Sequence, residues 1–313
     1  MKGHAVFWIG FNVFVVIMLT LDLGVFHRKL HKVPVKEAIL WSAIWIILAM
    51  LFNVLIYFDL GKTKALEFLT GYVIEYSLSI DNIFVFILIF SFFTVDEKYQ
   101  HKVLFWGILG ALIMRAIFIF AGVALINRFH WIIYIFGGFL VFTGIRMLFQ
   151  GDAKIEPEKN PVVRFFRKFL PVSETLHEEK FFVKKNTRYF ATPLFLVLLI
   201  IESSDVIFAV DSIPAILAIT QDSFIVYTSN IFAILGLRSL YFAISGMMMY
   251  FRFLKIGLAF VLSFVGLKMC ISSFIEIPIS YSLLTILGIL LISVVASMVI
   301  KKKVDQPISP EEN

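Results

Sequence analysis

Long apolar runs alternate with short polar segments along the chain. Nine runs are long enough to cross a bilayer: 5–26, 38–58, 66–94, 103–126, 130–150, 191–218, 224–250, 253–273 and 279–300. A crossing helix needs about 20 residues at ~1.5 Å rise per residue. The runs are continuously apolar rather than alternating, which predicts helices and not barrel strands. The first run exceeds a signal-peptide h-region, has no basic n-region beyond Lys2 and no small-residue cleavage site, so it reads as a retained span. The expected fold class is all-α: a polytopic membrane protein with about nine transmembrane helices, residues 1–313 forming a single transmembrane domain.

Composition sharpens this picture. Hydrophobic residues make up 60% and charged residues 16% of the chain, whereas soluble domains are roughly half apolar and a quarter charged. The net charge of +6 does not point to nucleic acid, because the basic residues sit in short loops between apolar runs. There they set orientation. With the N-terminus outside, the inner segments 27–37, 95–102, 151–190, 251–255 and the tail after Ile300 carry twenty Lys and Arg. The outer segments carry four: Lys2, Lys62, Lys64 and Arg128. The bias predicts N-terminus out and C-terminus cytoplasmic. The one cysteine, Cys270, lies in an apolar run and excludes both a disulfide within the chain and a thiolate metal cluster.

The long inner loop, 151–190, reads as cytoplasmic. Within it, Pro161 to Pro171 places apolar and basic residues at helical spacing, as a segment in the membrane interface would. Phe181 to Phe190 suggests a small hairpin around Lys185-Asn186. Asp22, near the inner end of the first span, is expected to pair with Arg28 or Lys29.

Spans 3–5 resemble spans 6–8. Ser79-Ile-Asp81-Asn-Ile-Phe84 matches Ser203-Ser-Asp205-Val-Ile-Phe208, Ile108-Leu-Gly110 matches Ile234-Leu-Gly236, and Phe142-Thr-Gly-Ile-Arg-Met147 matches Phe264-Val-Gly-Leu-Lys-Met269. Residues 66–150 would form a first repeat and 191–273 a second. Span 3 runs outside to inside and span 6 the reverse, so the two are expected to be inverted. Transporters built this way hold their site near the midplane, at the repeat interface.

Acidic side chains concentrate there. Span 3 carries Glu75, Asp81 and Asn82, and span 6 carries Glu202, Asp205 and Asp211. Each intramembrane carboxylate costs at least ~2.5 kcal/mol on insertion scales, so the group must face the bundle interior or water. Glu202 and Asp205 share one helix face, as do Glu75 and Asn82. Asp81 and Asp211 fall off those faces. Pro214 cannot donate to the Val210 carbonyl and is expected to break span 6 between Asp211 and Pro214, turning Asp211 inward. Arg115 and Arg238, mid-span in the second helix of each repeat, are expected to pair with part of the carboxylates. Asn12, Asn53 and Asn230 are read as interhelical hydrogen-bonders. No histidine falls mid-span. The oxygen-only donor set favours a hard divalent cation such as Mn²⁺, Ca²⁺ or Mg²⁺ over Zn²⁺ or Cu⁺. A metal-dependent intramembrane protease would need mid-span His ligands, and no P-loop is present, so an enzyme or an ATP-driven pump is not expected. The ion is substrate rather than resident cofactor, and none of the latter is implied.

The runs Glu75-Tyr-Ser-Leu-Ser-Ile-Asp-Asn-Ile-Phe-Val-Phe86, Glu202-Ser-Ser-Asp-Val-Ile-Phe-Ala-Val-Asp-Ser-Ile-Pro-Ala215 and Tyr227 to Phe242, with the entry Phe26-His-Arg-Lys29 and Val35-Lys-Glu-Ala38, resemble the TerC family of integral membrane proteins. The similarity covers about residues 5–300. It implies a multi-pass protein of the bacterial inner membrane, related to the LysE-type transporter superfamily. It also implies manganese efflux through the two acidic motifs. Some relatives are associated with supplying metal to secreted proteins, so an accessory subunit serving secretion machinery, or one stabilising a tellurium or metal resistance complex, is the alternative. Expected partners are the divalent ion, the lipid bilayer and a homo-oligomeric copy.

Overall fold

The computed structural model describes residues 2–24, 34–149, 164–166, 180–185, 188–246, 253–272, 274, 275 and 277–300. Its helices are α1 (Lys2–Gly24), α2 (Val35–Leu60), α3 (Lys62–Phe92), α4 (Glu97–Arg128), α5 (Ile132–Phe149), α6 (Pro193–Leu217), α7 (Ser223–Leu235), α8 (Leu237–Ser245), α9 (Leu254–Ile271) and α10 (Ile279–Val299). Among the described residues, seven helices are long and apolar enough to cross a membrane, or eight when the bent pair α7–α8 counts as one crossing. α1 adds a shorter apolar stretch, Phe7–Leu21. Among the described residues the fold is all-α apart from one small hairpin. Helices win because each satisfies its backbone donors and acceptors internally, which a lipid environment requires.

The breaks between helices follow local chemistry. Gly61 ends α2 with φ 92°, a left-handed conformation that glycine adopts without a Cβ clash. Thr192 caps α6 by accepting from the Phe195 N–H, and Pro193 takes the first helical position, where no donor is needed. Asp222 caps α7 by accepting from the N–H groups of Phe224 and Ile225. The hairpin expected near Lys185-Asn186 is present as β1 (Phe182–Lys185) antiparallel to β2 (Arg188–Ala191), with Phe182 opposite Ala191. It is tied to α6, since the Thr192 hydroxyl donates to the Lys180 carbonyl. Of the segment expected at the interface, 161–171, only 164–166 are described. The side chain of Asp22 and residues Arg28 and Lys29 lie outside the described residues.

The expected break at Asp211–Pro214 does not occur. α6 runs on through Pro214 to Leu217. Pro214 removes one donor in the last turn, and the helix ends too soon afterwards for that loss to split it. The span that breaks is the next one. α7 and α8 meet at Gly236 with a 43° bend, where a Cβ on Gly236 would lie 3.3 Å from Trp45 Cβ of α2.

Partner residues fix the helix directions. Along α3 and α6, Glu67 meets Thr220, Gly71 approaches Ile216 and Glu75 is linked through Arg115 to Ser212, so the two run antiparallel. The same register, continued, brings Asn82 opposite Asp205. α4 and α7–α8 are also antiparallel: Phe120 stacks with Tyr227, and the Tyr241 hydroxyl donates to Gln100. α5 and α9 are antiparallel and the most closely packed pair. Their seam is made of Gly137, Gly144, Ala259, Ser263, Gly266 and Cys270; a Cβ on Gly266 would lie 2.6 Å from the Gly137 carbonyl oxygen. Small residues let backbones approach where lipid offers no hydrophobic drive between helices. By contrast α4 runs parallel to α6, and α3 parallel to α7. α3 is the most enclosed span. α2 and α10 present Leu51, Leu55, Phe58, Leu284, Leu291 and Ile292 outward, as lipid-facing helices do.

Candidate functional site

The centre of the site is Arg115 of α4, 1% exposed, between Glu75 of α3 (0%) and Asp205 of α6 (4%). Its Nη2 donates to Asp205 Oδ1 at 3.1 Å and its Nε reaches Oδ2 at 3.4 Å, a forked contact on one carboxylate. Its Nη1 pairs with Glu75 Oε1. Glu75 Oε2 accepts from the side-chain amide of Asn230 on α7 at 2.9 Å. Ser79 and Ser212 stand 3.4 Å from Glu75 Oε1 and Arg115 Nη1. Three helices are therefore joined through one guanidinium, and Glu75 ties in a fourth, α7. A buried charge is tolerated only when paired and hydrogen-bonded, and each of these charges is.

The sequence-derived site residues are sorted rather than gathered. Glu75 and Asp205 share Arg115. Glu202, half-buried, lies against Gly110 of α4, where any Cβ would collide with its carboxylate. It also stands within electrostatic range of Asp205. The helix face shared by Glu202 and Asp205 is thus the face turned to α4. Asp81 and Asp211, both half-buried, form a second group. They lie within electrostatic range of one another and of the cationic side chains of Lys255 and Arg146 respectively. Asp211 accepts from the Thr143 hydroxyl of α5 at 3.1 Å. Asn82 is buried beside Asp81 on α3. Among the described residues, no three His, Cys, Asp or Glu side chains are placed together as a metal-holding set. Arg115 stands where the carboxylates of the first group converge.

Residue patterns announced part of this. Arg115 pairs with carboxylates as expected, and Arg238 is buried on α8. Asn12 does bridge helices, accepting from the Tyr227 hydroxyl. Asn230 also bridges helices, but its partner is a site carboxylate. Thr143 and Gly110 carried no signal as site residues. Gly110 stood out only through its match to Gly236.

The sequence model of the integral membrane protein TerC family matches residues 60–305. The chain belongs to the TerC family. It is 52% identical over 297 residues to an uncharacterized membrane protein, STKORF319, of Myxococcus xanthus, covering 95% of this chain and 93% of that one. It is 48% identical over 300 residues to a protein of Escherichia coli strain K12 provisionally named membrane-bound redox modulator Alx, covering 93% and 94%. A membrane protein of Rickettsia bellii is 41% identical over 299 residues, covering 96% and 99%. No solved structure matches. This TerC protein is an integral multi-pass membrane protein, and the family match takes in every acidic residue of both groups while leaving α1 and nearly all of α2 outside it.

Proposed function

We propose that this TerC protein is a secondary transporter that exports a hard divalent cation, Mn²⁺ first among them, across the bacterial inner membrane. The observation that carries the reading is the set of carboxylates enclosed between α3, α4, α6 and α7. Intramembrane carboxylates are expensive and mark ion or proton routes. All ligand atoms on offer are oxygens, the donor set of hard cations. Manganese and the outward direction rest on the family resemblance, and the N-out, C-in orientation rests on the distribution of Lys and Arg.

Inverted repeats would give the transporter its two faces. Support comes from the helix directions: α3, α4 and α5 each run antiparallel to their proposed mates α6, α7–α8 and α9. The cross pairs α4 with α6 and α3 with α7 are both parallel, as a two-fold exchange of repeats demands. Asp81 and Asp205, matched in sequence, would then sit either side of that axis.

The name of the Alx relatives suggests redox modulation instead. With a single cysteine, a dithiol couple within one chain has no second thiol, so the oxygen-lined site favours the cation. The accessory role in metal supply is separated by experiment. Purified protein in liposomes is expected to move Mn²⁺ without other subunits, with Ca²⁺ and Mg²⁺ as comparison ions. Liposomes that stay tight to all three would overturn the transporter reading.

A further inference from the structure

Arg115 makes contacts that a dissolved cation would make. It is buried, it touches a carboxylate from each of α3 and α6, and it sits beside a serine hydroxyl oxygen. A second observation at the same place points to a ligand. Asn230 is fully buried on α7, and its amide N–H donates to Glu75. That bond fixes the orientation of the amide, yet its carbonyl oxygen Oδ1 has no hydrogen-bond partner among the described residues. A buried oxygen in that state has lost its water and gained nothing in return. It lies on the same amide as the nitrogen held by Glu75, so an unused acceptor stands at the Glu75 end of the ion-paired cluster.

We propose that Arg115 is a tethered stand-in for the transported ion: the divalent cation displaces its guanidinium and takes Glu75, Asp205 and Asn230 Oδ1 as ligands. The inference rests on the transporter reading and specifies the chemistry of its central step. Two carboxylates carry two negative charges, which one guanidinium half-neutralises and one divalent ion neutralises fully. The exchange also satisfies Asn230 Oδ1, which accepts no hydrogen bond from Arg115 in the present arrangement. Return of Arg115 would then expel the ion. Without it, α3 and α6 would be left with unpaired buried charges, which is a state of high energy. The empty carrier is thereby held together between cycles, and bound metal is given a competitor that favours release.

The test uses the full chain in detergent and in liposomes. Arg115→Gln is expected to melt well below the wild type in the absence of divalent ions, and MnCl₂ is expected to restore the midpoint. Its Mn²⁺ binding should be tighter than the wild type's by about tenfold or more, with flux lost because the ion is no longer expelled. Adding Asn230→Ala should reverse most of that gain. Binding no tighter than wild type, with no recovery of the melting point, overturns the proposal and makes Arg115 a structural clamp. If Arg115→Gln does not accumulate, Arg115→Lys serves. An ammonium keeps the charge but loses the planar fork that grips Asp205 while reaching Glu75, so Mn²⁺ should again bind more tightly than in the wild type, and unchanged or weaker binding overturns the idea. The two readings fail separately. Wild-type flux with no metal rescue of either variant removes the stand-in alone. Rescue of the variants with no wild-type flux leaves the stand-in and removes the transporter.

Discussion

Two helix junctions in this protein are built from opposite materials. At the first, α3, α4, α6 and α7 meet through Glu75, Arg115, Asp205 and Asn230. At the second, α5 and α9 meet through glycine, alanine, serine and cysteine, backbone against backbone. The first junction is made of charges that can change partners without leaving a hole. The second is made of close approach, which has one good arrangement and loses contact as soon as the helices separate. A moving part and a pivot would be expected to differ in just this way. In the proposed transport cycle, the ionic junction is where two states of similar energy are available, and the seam is where they are not.

Mutations at each junction can break that contrast. The largest effect should come from Arg115→Leu, which strips a buried guanidinium from two carboxylates. It should cost roughly 3–5 kcal/mol of stability, read as a lowered thermal midpoint in detergent without divalent ions. A midpoint within experimental error of wild type would remove the ionic junction from the account. Next is Gly266→Val at the seam. Overpacking against the Gly137 carbonyl should cost about 1–3 kcal/mol, while Mn²⁺ flux per folded molecule stays near wild type. A selective loss of flux would make the seam a moving part after all.

Asp81→Asn sharpens the comparison within the site. Asp81 lies outside the Arg115 cluster, within electrostatic range of Lys255, so stability should hold while flux falls by more than about tenfold, ~1.4 kcal/mol. Normal flux in liposomes would take Asp81 off the ion route. The smallest effect belongs to Lys64→Ala, which removes a half-exposed bridge to Glu67 at 2.8 Å and Asp222 at 3.2 Å. Such pairs contribute about 0–1 kcal/mol, and a melting curve shifted by more would show that this end of α3 is better enclosed than its exposure indicates.

The membrane-spanning architecture was legible because apolar length is a direct physical requirement of the bilayer. The pairing of Arg115 with carboxylates was legible for a related reason: opposite charges enclosed together have few alternatives. The break at Gly236 was not. Pro214 advertised a missing donor, but a proline in the final turn has little helix beyond it to deflect. Gly236 advertised nothing, because its bend accompanies the passage of Trp45 on a distant helix. Asn230 was legible as a polar mid-span residue but not as a neighbour of Glu75, since register between α3 and α7 is set by packing and leaves no periodic mark. The segregation of Asp81 and Asp211 from the arginine was half visible in their falling off the other acids' faces. That Asp211 would turn to Thr143 depended on where α5 stands.

The chain's single thiol lies in the seam. A Cβ on Gly137 would meet the Cys270 sulfur at 2.7 Å, and that sulfur stands 3.9 Å from the Tyr134 carbonyl oxygen. Nature has therefore supplied a one-site spectroscopic handle on α9, opposite the glycine of α5, with no background to engineer away. The rate at which a maleimide dye attaches to the unmodified protein becomes a clock for any opening between those two helices, and a rate unchanged by Mn²⁺ is the expected signature of a seam that stays closed.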